Sequence, residues 1–218
     1  MTPFVHLSRD GAVLVIEIDN PPPGATFAQT ARQELIGGLL AARADATIDA
    51  IILCATNHPC EADAEITGLD LGGMSHPDSN DIFNAIEDLA RPVVAVLHGT
   101  VLSGRLELAL LAHYRIAVAS TTFRLPEVKL EISQGTGGTQ HLPRIAGMRD
   151  ALDRTTGGTP ISARKAQELG IVDVVVENGL REAAFKLVHE LVANGTPPRR
   201  ARDLSLDSSV IHSNFSNN

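Results

Sequence analysis

Two short runs of unbroken apolar residues constrain this chain most: Ala50-Ile51-Ile52-Leu53-Cys54-Ala55 and Pro92-Val93-Val94-Ala95-Val96-Leu97. Neither alternates polar with apolar. Each therefore reads as a strand buried on both faces, which needs a layer of structure on either side. The flanking sequence supplies those layers. Residues 27–44 carry Leu35, Leu39 and Leu40 on one side of a helical pattern, and 81–89 reads as a second helix. Helices are also expected from about 104 to 112, 149 to 155, 162 to 169 and 181 to 193. Strands are expected at 13–19, 114–118 and 172–176. Strand and helix alternate, so the expected fold class is α/β with a mostly parallel sheet. The pattern stops near Gly195. Residues 1–196 read as one domain and 197–218 as a polar, Ser/Asn-rich tail.

A length of 218 residues suits one large domain. The net charge of −8 leaves no basic surplus for phosphates, so nucleic acid is not an expected partner. No apolar run reaches the roughly 18 residues of a membrane span, and the first residues have no secretory pattern. Cytoplasmic residence is therefore expected, with Cys54 and Cys60 as free thiols and no metal site.

The chemistry-bearing stretch is Gly104-Arg105-Leu106-Glu107-Leu108-Ala109-Leu110-Leu111, with Leu125-Pro126-Glu127-Val128 after it. Glu107 stands in an apolar helix, where burial is costly unless something satisfies or uses the carboxylate. If Gly104 caps that helix, Glu107 falls at its third position and serves its own N-terminus. If Glu107 and Glu127 instead share a pocket, they form a pair able to move two protons. His98 and His113 flank apolar strands and read as structural. Gly135-Thr136-Gly137-Gly138 lacks a phosphate-loop spacing and reads as a tight turn into a helix.

Four ordered segments resemble the crotonase (enoyl-CoA hydratase/isomerase) superfamily, above all the hydratase part of bifunctional β-oxidation enzymes. They are Gly104 to Ala117, Leu125 to Val128, Gly138-Thr139-Gln140-His141-Leu142-Pro143-Arg144, and Ala166-Gln167-Glu168-Leu169-Gly170-Ile171-Val172-Asp173. The resemblance implies a crotonase-like ββα spiral with a short or absent C-terminal helical region. It also implies a homo-oligomer, a trimer or hexamer, acting on an acyl-CoA thioester. Coenzyme A would be part of the substrate and no other cofactor is implied. Glu107 and Glu127 map to the acid/base pair. The backbone N–H groups of Ala64 and Arg105 map to the oxyanion hole. Ala25, Ala62, Glu65, Ile66 and Pro126 map to substrate contacts. The implied reaction is addition of water to a 2-enoyl-CoA. The alternatives are an enoyl-CoA isomerase, or a catalytically impaired acyl-CoA binding or assembly subunit.

The chain departs from that family at several glycines. Asp63, Ser103, Arg105, Arg124 and Glu131 stand where glycine is usual, Gly24 where asparagine is, and Glu65 where aspartate is. Arg105 keeps a backbone N–H, but its side chain must either fill the acyl pocket or pair with a glutamate.

Overall fold

A computed structural model describes residues 4–19, 28–55, 79–125, 127 and 138–206. The main sheet has six strands: β1 (Val5–Asp10), β2 (Val13–Ile18), β3 (Ala50–Ala55), β4 (Val93–Leu97), β6 (Tyr114–Val118) and β9 (Val174–Val176). Its order is β1-β2-β3-β4-β6-β9, antiparallel between β1 and β2 and parallel from there on. A smaller sheet holds β5 (Thr100–Leu102), β7 (Thr122–Arg124) and β8 (Ile161–Ser162). The helices are α1 (Ala28–Ala44), α2 (Ser79–Glu87), α3 (Ser103–Leu111), α4 (Gly138–Ala146), α5 (Met148–Gly157), α6 (Ala163–Glu168) and α7 (Leu180–Ala193).

Side-chain alternation along the apolar strands accounts for the layers. Ile51, Leu53, Val93 and Ala95 face one side, where they pack with Leu35 and Leu39 of α1, Ile82 and Ile86 of α2, and Leu108 of α3. Ile52, Val94, Val96 and Ile116 face the other, against Ala184, Val188 and Leu191 of α7. Both faces of the central strands are thus covered, as their lack of polar alternation requires. A third cluster joins Val101, Leu106, Leu110, Phe123, Leu125 and Leu142 between the small sheet, α3 and α4.

Two motif segments are tied through Arg115, whose side chain is 2% exposed. Its Nε donates to the Ile171 carbonyl and its Nη1 to that of Ala112, each at 2.7 Å. Asp173 accepts the Arg115 backbone N–H at 2.7 Å and lies 3.8 Å from its Nη2. Burial is the main cause lowering the Arg115 pKa, to about 10, so the guanidinium is still charged at neutral pH.

The segment after Thr196 differs from the expected tail. Tyr114 donates its hydroxyl to the Pro197 carbonyl at 2.9 Å, and Arg199 pairs with Asp173 and lies over the Tyr114 ring. A 3-10 turn at Ala201–Asp203 buries Ala201 and brings Arg200 and Arg202 onto the end of α2. Its polar residues are anchors, which composition alone does not distinguish from solvated side chains. Residues 207–218 lie outside the described residues.

Candidate active site

Helix α3 starts where β5 leaves the small sheet. Its N-cap is Leu102, in an extended conformation with no side-chain cap bond. Glu107 is therefore the fifth residue of α3, past the first turn, and does not close a capping box on Gly104. It is 4% exposed, and its Oε1 accepts the Gly138 N–H at 3.2 Å. Gly138 is the first residue of α4, so the Glu107 carboxyl lies at a helix N-terminus that favours negative charge. Of the glycine-rich run only Gly138 is among the described residues, and it begins α4. That Gly138 holds Glu107 was not legible, because the two residues lie 31 positions apart.

Glu127 is 5% exposed, and its Oε2 is buried without a hydrogen-bond partner among the described residues. Backbone topology relates it to Glu107. Strands β5 and β7 are parallel neighbours with Leu102 opposite Arg124. Both segments leave the small sheet at the same end, one into α3 and Glu107, the other through Leu125 to Glu127. Leu106 and Leu125 share the apolar cluster beneath them. Arg124 is occupied in the scaffold, donating from Nε to the Gly158 carbonyl at 3.0 Å.

Arg105 and Glu107, two residues apart, project about 200° from one another around α3. Glu107 turns toward α4. Arg105 lines an apolar cavity at the C-terminal ends of β2, β3 and β4, with Ile18, Leu53, Leu97 and Leu108 in its walls and Cys54 and His98 at its edge. Burial pushes the free Cys54 thiol up to about 12, which keeps it protonated. His113 is fully buried and its Nδ1 accepts the Val93 N–H at 3.1 Å. Burial, and then the nearby Arg200, push it down to about 4, so it is a neutral structural side chain at pH 7. Ala25, Ala62, Asp63, Ala64, Glu65, Ile66 and Pro126 lie outside the described residues, as does Cys60. Among the described residues no group of three or more His, Cys, Asp or Glu is placed to hold a metal ion. None of their helices is long and apolar enough to cross a membrane.

A family model described as enoyl-CoA hydratase/isomerase matches residues 8–205. This chain belongs to the enoyl-CoA hydratase/isomerase family. It is 36% identical over 189 residues to the human peroxisomal bifunctional enzyme, a match covering 87% of the chain and 26% of that enzyme. The chain thus spans about a quarter of the bifunctional relatives it matches. It is 34% identical over 176 residues to a Bacillus subtilis protein named "Probable enoyl-CoA hydratase", covering 78% of the chain and 68% of that protein. Among solved structures, Pseudomonas aeruginosa DspI superposes with a TM-score of 0.75 at 26% identity, over 90% of this chain and 77% of that one. The enoyl-CoA hydratase of Bacillus anthracis gives 0.71 at 26% identity, over 87% and 76%. The fold is the crotonase fold, as the four sequence segments implied.

Proposed function

We propose that this family member adds water to a 2-enoyl-CoA thioester, with Glu107 and Glu127 as its acid/base pair. The observation that carries this reading is the pair of almost fully buried carboxyls at one end of the small sheet. The Glu107 carboxyl is held by the N-terminus of α4. Glu127 keeps an oxygen unused by the described residues, as a proton-transfer group needs. One carboxyl takes a proton from water while the other positions that water and protonates Cα. A shift of a double bond needs only one group to remove and return the same proton. The buried pair therefore favours hydration over isomerisation. The backbone N–H groups of Ala64 and Arg105 hold the thioester oxygen as it becomes an enolate, a contribution of about 3–4 kcal/mol per donor. Ala25, Ala62, Glu65, Ile66 and Pro126 are assigned to substrate contact by the family resemblance. Coenzyme A enters as part of the substrate, and the working form is a cytoplasmic homo-oligomer, a trimer or hexamer.

Arg105 favours a second reading, in which the chain binds acyl-CoA without turnover. Arg105 lines an apolar cavity beside the site. The test is the loss of enoyl-thioester absorbance when crotonyl-CoA is mixed with the protein. Conversion to 3-hydroxybutyryl-CoA supports hydration. Tight binding of crotonyl-CoA without conversion supports the binding subunit.

A further inference from the structure

We infer that Glu87 is a positioning residue for Glu107, acting through His141 and helix α4, with the segment around Arg202 as its brace. The inference rests on Glu107 being an acid/base group.

The first turn of α4 is gripped from two sides. At its start the Gly138 N–H donates to Glu107. One turn on, His141 is 8% exposed and enters a socket on α2. The ring of Phe83 meets the imidazole edge-on, at 5.6 Å and 84°. Glu87 Oε1 lies 3.6 Å from His141 Nε2, an ion pair when the imidazole is protonated. Phe83 and Glu87 are four residues apart, so they share one face of α2. An apolar ring and a carboxylate thus fix both the depth and the rotation of α4.

Glu87 is itself 4% exposed and held from outside. The Arg202 N–H donates to its Oε1 at 3.3 Å, and Arg202 Nε lies 3.8 Å from Oε2. Arg202 also donates to Asp88 at 2.6 Å, and Arg200 bonds the Glu87 carbonyl. The titratable and charged groups facing Glu87 are therefore His141 from α4, His113 from the end of α3, Arg200 and Arg202, with Asp88 alongside. Burial raises its carboxyl pKa, but His141 and Arg202 outweigh that and leave it below the ordinary value, so it is charged at neutral pH.

A buried carboxylate costs stability unless its geometry is used. Here the geometry transmits. The Gly138 N–H moves with α4 as a rigid body, so a shift of about an ångström would break its 3.2 Å bond to Glu107. Losing a donor to the charged form raises the proton affinity of that carboxyl. The Gly138 N–H at the start of α4 is one donor to the Glu107 carboxyl, and Glu127 follows the strand β7 that runs parallel to β5.

The experiment is a carbon-13 NMR titration of the Glu107 carboxyl, assigned by its disappearance in Glu107→Gln. It is run on the full chain and on Glu87→Gln and Arg202→Met. Arg202 is 41% exposed in its side chain, so its variant carries the test if Glu87→Gln does not fold. The expected result is an upward move of the Glu107 midpoint by about half a pH unit or more in each folded variant. In an active protein, kcat for enoyl-CoA hydration falls ~10-fold with KM unchanged, and the acid limb of the rate profile moves with the NMR midpoint. Arg202→Lys restores part of both. Unmoved midpoints with a lowered Tm overturn the inference, because Glu87 then only braces the fold. If the parent hydrates nothing and the midpoint still moves, the positioning stands and the acid/base assignment fails.

Discussion

Two residues show how position, more than residue type, decides a role. His113 is held neutral inside the fold. Its folded pKa of about 4 lies below the ordinary 6.5, so the stability it confers is fully present above pH 6.5. That stability is lost as pH falls from 6.5 toward 4, because the unfolded chain takes the proton first. A difference of that size is worth about 3 kcal/mol. Urea denaturation at pH 7 and pH 5 should show a drop. His113→Gln, whose amide oxygen can accept the Val93 N–H, should show less of one. An equal drop in the variant removes His113 from the account. Arg105 concerns the ligand. It occupies the cavity side of α3 while Glu107 turns the other way. Arg105→Gly opens the cavity wall. Calorimetry should show acyl-CoA binding tightened roughly 5-fold, about 1 kcal/mol, or crotonyl-CoA turnover raised by a similar factor. A slower, weaker-binding Arg105→Gly would make the arginine a working part of the site.

Among the elements, turns carry as much specification as helices. Gly170 ends α6 with φ +73°, and a Cβ there would meet the Ile145 carbonyl oxygen at 3.3 Å. The Ile171 N–H returns to the Ala166 carbonyl at 2.9 Å, which sets up Asp173 for Arg115. Gly170→Ala should cost about 1–2 kcal/mol and lower Tm by roughly 2–8 °C in thermal unfolding. No change would mean that this turn tolerates a side chain. The elements legible in the sequence were those whose pattern outlasts one turn or one pleat. The apolar run at 50–55 is β3 without correction, and the leucine stripe of 27–44 is α1 to within one residue. Strand β1 was missed because Ser8, Arg9 and Asp10 are exposed, and it is held by pairing with β2. Strands β5, β7 and β8 have two or three residues each, too few for a period. Glu107 and Glu127 were singled out by motif register, and both are buried. The Gly138 bond and the Glu87–His141 contact were not, because they arise from packing between helices distant in sequence.

Across the whole molecule, one arrangement sets both the core and the candidate site. The large parallel sheet is covered on both faces. Its C-terminal edge opens beside the start of α3, and the small sheet delivers two carboxyl-bearing segments to one end. The segment 197–203 ties β6 and the start of β9 to the end of α2. In the proposed mechanism Glu107 and Glu127 work as one acid/base unit. Steady-state hydration of crotonyl-CoA by the parent, Glu107→Gln, Glu127→Gln and the double variant tests it most directly. Each single change should lower kcat ~10²–10⁴-fold with the fold intact. The double variant should be little worse than the poorer single one, because a unit broken once is not broken further. Unchanged turnover in either single variant, or losses that simply multiply in the double, would contradict the paired mechanism.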